Sequence, residues 1–187
     1  MAQHQVQKQP PQQRDDLSGE HPLGDAGQLV LACLFISTWV LDTFILKYTT
    51  LLNRYIPLII RIPLGVVFVV VSFYLAAMGL HIVFGERREK PSVITKSVFG
   101  ITRHPIYLSE ILLYLGLLMM SLSLAAAFVC GITILFLHHI SRYEERLLLA
   151  RFGEEYSQYI QKVPMWLPQP WKKRAGTSES IEQNNGH

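Results

Sequence analysis

This chain is poor in several things that soluble proteins use. It has two cysteines, Cys33 and Cys130, and both sit inside apolar blocks. That excludes a disulfide framework and any Cys-x-x-Cys metal pattern, and a lone buried cysteine behaves as a small hydrophobe. No metal site is expected. No Gly-x-Gly-x-x-Gly element occurs, so a Rossmann-like dinucleotide site is not encoded. The first residues lack the apolar core and small-residue cleavage site of a signal peptide. Charge is scarce over one long stretch. From Ile106 to Ile140, Glu110 is the sole acidic residue, and neither Lys nor Arg occurs.

What remains is half hydrophobic, with a formal charge of +3 over 187 residues. The apolar residues are massed in blocks rather than spread at helical or strand periods, which points to membrane spans. No nucleic-acid partner is expected. The length is one domain's worth.

Three regions are expected. Residues 1–27, rich in Gln, Pro and Gly, read as a disordered tail. Residues 28–168 form a membrane-embedded domain. Residues 169–187 turn basic, then polar, and read as a second tail. The fold class is all-α: an integral membrane helical bundle of about four spans, ending in a helical hairpin, with a cytoplasmic amphipathic helix after it.

The first span is expected from Leu29 to Leu46. Asp42 near its end is either functional, as intramembrane carboxylates tend to be, or simply reaches water or Lys47. The second runs from Leu58 to Phe84. Arg61 near its start is expected to snorkel toward headgroups, and Gly65 and Gly79 to permit close helix contact. A charged run, Gly85 to Pro91, leads to an interfacial loop, Ser92 to Gly100.

Next comes Arg103-His104-Pro105-Ile106-Tyr107. Proline suits the first helical position, where its missing N–H loses nothing. As one helix, residues 106–140 would be about 50 Å long at 1.5 Å per residue. The hydrocarbon core is about 30 Å thick. The segment should therefore fold into two arms, turning near Ser121-Leu122-Ser123. Glu110 lies one turn inside the first arm, on a face similar to Tyr107. The second arm is expected to end at His138-His139, which point to different faces and cannot chelate together. Helical patterns follow over Ser141 to Ala150 and over Glu154 to Gln161, broken by Phe152-Gly153.

A hairpin returns its two feet to one membrane face. Arg103, His104 and Tyr107 would then meet Glu144 and Glu145, with Arg142, His138 and His139 nearby. Cation, anion and aromatic surface together suit a zwitterionic ligand. The plainer alternative is interfacial anchoring of helix ends, with glutamates favouring a helix start. Lys and Arg placement puts both termini and these groups on the cytoplasmic side.

Arg103-His104-Pro105-Ile106-Tyr107, the apolar hairpin, Glu144-Glu145-Arg146-Leu147-Leu148, Phe152-Gly153-Glu154-Glu155-Tyr156 and Val163-Pro164-Met165-Trp166-Leu167-Pro168 together resemble the isoprenylcysteine carboxyl methyltransferase family and the related phospholipid N-methyltransferases. The resemblance spans roughly Ser92 to Pro168. It implies a membrane methyltransferase that uses S-adenosylmethionine and a lipophilic small molecule or prenylated acceptor, within membrane lipid. It implies cofactor contacts at His104, Tyr107, Glu144 and the Ile94-to-Phe99 loop. Arg103 is assigned to orient a carboxylate acceptor and Glu145 to accept a proton, with Arg142 and Glu110 as substrate candidates.

Two departures stand out. The family's His-x-Leu-Val-Thr-x-Gly-x-Tyr stretch is here Pro91 to Phe99, without its histidine, glycine and tyrosine. The arginine that serves the prenylcysteine substrate is here Ile140. Competing readings are a phospholipid or amine N-methyltransferase, an NADPH-dependent sterol-type reductase, and a membrane scaffold without activity.

Overall fold

The computed structural model describes residues 24–85 and 92–166. Most of both expected tails, and the charged run 86–91, lie outside the described residues. Helix α1 is Gly24–Val40, continued by a π-helical turn, Leu41–Leu46. It begins before the expected Leu29. Helix α2 is Leu58–Leu80, continued by a π-helical turn, His81–Gly85. Helix α3 is Pro105–Ser121, α4 is Leu124–Phe152 and α5 is Glu154–Lys162. No strand occurs among the described residues.

Three of these stretches, Gly24–Leu46, Leu58–Gly85 and Leu124–Phe152, are long and apolar enough to cross a membrane. Helix α3, with 17 residues, is about 26 Å long at 1.5 Å per residue. That is slightly less than the hydrocarbon thickness. The bundle wears its large apolar side chains outside: Phe128 and Leu135 on α4 are each 72% exposed. Such a surface fits lipid rather than water.

Lipid gives helices no hydrophobic reason to associate, so close packing and hydrogen bonds must hold them. Helices α2 and α3 cross at two glycines. A Cβ on Gly65 would lie 2.7 Å from the Gly116 carbonyl oxygen, and one on Gly116 would lie 2.9 Å from that of Gly65. Farther along, Ser72 donates to the Ser109 carbonyl at 2.6 Å, and a Cβ on Gly79 would strike Ile106 at 2.9 Å. The expected close contacts at Gly65 and Gly79 are present.

Helix α1 meets α3 through one stripe. Gln28, Phe35 and Trp39 recur at spacings that keep them on one face. Phe35 stacks on Tyr114 with ring centroids 4.1 Å apart. Trp39 donates to the Leu117 carbonyl at 3.1 Å and to Ser121 Oγ at 3.0 Å.

The hairpin turns at Leu122, which takes the left-handed conformation, φ 49°. Ser123 caps α4, accepting from Ala126 N at 3.1 Å. Asp42 supports that cap. Its Oδ2 accepts from Ser123 Oγ at 2.6 Å and from Thr49 Oγ1 at 2.5 Å, and its Oδ1 from Thr49 N at 3.0 Å. The Asp42 carboxylate therefore neither reaches water nor pairs with the Lys47 ammonium; only the Lys47 backbone N–H bonds Asp42, at its carbonyl oxygen. Asp42 is buried and holds the α1–α2 connector to the hairpin turn. Arg61 also departs from expectation. It is buried and donates to Asn53 and, at 2.9 Å, to the Met120 carbonyl. The open carbonyls at the end of α3 attract it more than headgroups do.

Helix α4 runs unbroken through His138-His139, without the expected second helix at Ser141–Ala150. No Gly or Pro interrupts residues 132–152. The first interruption is Gly153, φ 54°. A span needs about 20 residues, so one starting at Leu124 carries Glu144 and Glu145 just past the apolar zone.

Candidate functional site

The site is built where α3 begins and α4 leaves the apolar zone. His104 precedes Pro105, which stands at the first position of α3. Its imidazole lies between the two glutamates of α4. Nε2 is 3.4 Å from Glu145 Oε1, and Nδ1 is 3.7 Å from Glu144 Oε2. Tyr107, one turn into α3, donates its hydroxyl to Glu144 Oε1 at 2.5 Å and stacks parallel to His104, centroids 5.8 Å apart. Arg103 Nη1 lies 3.0 Å from Glu145 Oε1. Neighbouring residues on a helix diverge by about 100°, which lets Glu145 turn inward while Glu144 stays 15% exposed.

The pairing is incomplete on one side. The Arg103 side chain is only 10% exposed. Its contact with Glu145 is an ion pair at poor hydrogen-bond angle, and its Nε has no acceptor among the described residues. A buried guanidinium donor without a partner costs about 1–3 kcal/mol unless something arrives to accept it.

A second layer holds the loop before α3. Tyr159 donates to the Phe99 carbonyl at 2.7 Å, Arg103 N to the Pro164 carbonyl at 3.0 Å, and Thr102 Oγ1 to the Met165 carbonyl at 2.8 Å. Helix α5 and the segment after it thus clamp residues 99–103. Burial pushes the pKa of Tyr156 and Tyr159 up. Trp166 sits 6.0 Å from the His104 ring and donates to His138 Nδ1 at 3.3 Å.

A cavity of about 450 Å³ opens beside this cluster. Arg103, His104, Tyr107 and Glu144 form its polar side; Phe99, Leu80 at the end of α2, and Val83 and Phe84 of the π-helical turn after it are apolar; Asp25 and Gln28 of α1 form a further wall. The size falls within the range of small-molecule sites, about 300–1,000 Å³.

Arg103, His104, Tyr107 and Glu144 line the cavity with Phe99, and Glu145 is brought against Arg103 and His104 but lies outside the lining. Three candidates stand apart. Ile94 is partly buried in the loop but does not line the cavity. Arg142 is exposed on α4, also outside the lining. Glu110 faces inward, yet its partners are Gln28 and Tyr114 rather than Tyr107, because α1 covers that face of α3. Ile140 is buried. Asp25 and Gln28 escaped the sequence reading, and Trp166 entered it only as part of the Val163-to-Pro168 motif, without a site role. A signal existed for the first two: they lie three apart at the mouth of the first span, the spacing of one helix face. Among the described residues no group of three His, Cys, Asp or Glu is placed to hold a metal.

The phospholipid methyltransferase family matches residues 53–155, more than half of the chain. The chain belongs to that family. The match takes in α2, α3, α4 and the glutamate pair but leaves α1 outside. Among relatives, protein-S-isoprenylcysteine O-methyltransferase B of Arabidopsis thaliana is 30% identical over 90 residues, 47% of this chain and 45% of that protein. The Mus musculus protein-S-isoprenylcysteine O-methyltransferase is 30% identical over 89 residues, 47% of this chain and 31% of that one. Methanethiol S-methyltransferase 1 of Bradyrhizobium diazoefficiens is 31% identical over 99 residues, 51% of this chain and 33% of that protein. The matched stretch covers under half the length of each of these relatives. No solved structure matches the chain.

Proposed function

We propose that this family member is an S-adenosylmethionine-dependent methyltransferase acting on a lipophilic acceptor, with a prenylcysteine-type carboxylate as the acceptor group. The observation that carries the reading is the cavity itself, which joins a charged, buried cluster to an apolar wall on α2. The residues present fit the cofactor. Arg103, which lines the cavity, supplies positive charge for an anion, and Glu144, anchored by Tyr107, supplies fixed negative charge for a cation. When bound, the cofactor supplies a methyl group on a cationic sulfur.

The chain's own work is placement. Holding reacting groups in line removes several kcal/mol from a barrier, roughly 7–11 at best. Arg103 orients a carboxylate, which needs no base. His104, backed by Glu145, stands ready to accept a proton where the acceptor has one to lose. That second role supports an amine acceptor as the alternative, and it rests on the two carboxylates flanking His104.

The site is proposed to face the cytoplasm. Among the described residues the side with Arg103 carries Lys96, Arg142, Arg146, Arg151 and Lys162, while the opposite side carries Lys47, Arg54 and Arg61. A polar cofactor then enters from water and a lipidic acceptor from the bilayer.

The test is thermal stability of detergent-purified protein with S-adenosylmethionine, S-adenosylhomocysteine and NADPH. A ligand bound only by the folded state stabilises by about 2.7 kcal/mol at a hundredfold excess over Kd. A rise with the two adenosyl ligands alone supports the proposal. A rise with NADPH alone transfers the site to a reductase. No rise with any, in protein shown to be folded, removes the reading.

A further inference from the structure

The α1 wall of the cavity lies outside the family match, so it is what this chain adds. Gln28 is held there by a tether. Its Nε2 donates to Glu110 Oε2 at 2.5 Å. Glu110 Oε1 accepts from the Tyr114 hydroxyl at 2.6 Å. Tyr114 is buried and stacks on Phe35. Every member of this chain of contacts is fixed by the next.

The tether sets the chemistry that Gln28 offers. A carboxamide has its donors on one edge and its acceptor on the other. With the amide nitrogen turned to Glu110, the oxygen is left for the cavity. Asp25, one turn earlier on the same face, adds a carboxylate to that wall. The polar side carries the Arg103 guanidinium, which can only donate, and the Glu144 carboxylate, which Tyr107 already engages. The α1 wall accepts hydrogen bonds, and Arg103 supplies the donor and the positive charge on the polar side.

We propose that the cavity binds an α-amino-acid-type head, with its carboxylate toward Arg103 and its nitrogen toward Gln28 and Asp25. This rests on the methyltransferase reading above. Two ligands of that reading carry such a head: the methionine end of the cofactor, and the cysteine end of a prenylated acceptor, whose nitrogen is an amide N–H. A thiol or an isolated carboxylate engages only part of the site.

The experiment uses the full chain in detergent, as wild type, Gln28→Leu and Asp25→Asn. Asp25→Asn leaves the Glu110 tether intact, so it reports even where Gln28→Leu disturbs folding. Calorimetry measures S-adenosylhomocysteine against 5′-methylthioadenosine, which lacks the amino-acid portion. Kinetics compare N-acetyl-S-farnesylcysteine with S-farnesylthiopropionate, which lacks the nitrogen. Loss of a hydrogen bond to a charged group predicts an effect of about tenfold. Weakening of S-adenosylhomocysteine alone assigns the head to the cofactor. A raised KM for the N-acetyl compound alone assigns it to the acceptor. Either supports the proposal. Equal effects on ligands with and without the nitrogen, or no effect from either variant on a wild type that binds, overturn the α1 wall and leave the methyltransferase reading standing. If wild type methylates neither farnesyl compound, the adenosyl arm decides alone. A wild type that binds no adenosyl ligand overturns both.

Discussion

Tyr107 and Glu144, on different helices of one hairpin, share a hydrogen bond of 2.5 Å. It fixes the more exposed of the two site carboxylates. Glu144→Ala is expected to abolish the stabilisation by S-adenosylhomocysteine while leaving the apo-protein folded. Tyr107→Phe keeps the ring against His104 and removes only the hydroxyl. It should weaken the same ligand by up to about tenfold, the value of one charge-assisted hydrogen bond. Titration calorimetry reads both. Undiminished binding to Glu144→Ala would take Glu144 out of the site.

The Arg103–Glu145 pair is a different case, because both side chains are at least nine-tenths buried. Removing one partner strands the other charge. Glu145→Ala should cost about 3–5 kcal/mol of stability. The double variant Arg103→Met, Glu145→Leu should recover most of that loss without recovering activity. Denaturant midpoints in detergent, set beside a methyl-transfer assay, distinguish stability from function. A double variant as unstable as the single one would show that the pair is not the cause.

Asp42 supplies a control far from the chemistry. It sits at the hairpin turn, while the site is at the other end of α3. Asp42→Ala leaves Thr49 and Ser123 without their acceptor and should cost about 1–3 kcal/mol. Turnover per folded molecule should remain unchanged. A loss of turnover at full folding would mean that the turn is coupled to the site.

Where α2 crosses α3, a methyl group has no room. Gly116→Ala would place its Cβ 2.8 Å from Val69 and 2.9 Å from the Gly65 carbonyl. Overpacking of this kind costs about 1–3 kcal/mol. The change in thermal midpoint tests it, and Gly131→Ala, with nothing within 4 Å, is the matched control.

Alkaline pH should loosen the clamp formed by α5. Burial raises the pKa of Tyr156 and Tyr159 in the folded protein. An unfolded phenol ionises near pH 10. The protonated form is therefore favoured by folding. This stability is fully present below about pH 10 and is lost as pH rises through the higher folded values. Tyr159→Phe removes the bond to the Phe99 carbonyl and should flatten the alkaline limb of stability. An unaltered limb in a variant lacking both phenols would assign it to other groups.

The sequence by itself determined the spans and the hairpin. Apolar blocks too long for one crossing had to turn, and the serines at 121 and 123 marked where. The hairpin in turn dictated that Arg103-His104 and Glu144-Glu145 share one end, because two antiparallel arms of similar length return to the same face. Periodicity did not show that α4 continues through His138-His139. Two adjacent histidines look like an interface, yet they carry no backbone signal that stops a helix, and Gly153 does.

Which residues face one another was decided only by the tertiary structure. Arg61 looked like a headgroup anchor until the end of α3 offered it carbonyl acceptors. Asp42 looked like a neighbour of Lys47 until the turn brought Ser123 to it. Glu110 shares a helix face with Tyr107, but α1 covers that face and claims it through Gln28. The cavity's α1 wall has the same origin. A pattern along one helix fixes which side of it is buried, whereas the identity of the partner depends on how helices distant in sequence lie against each other.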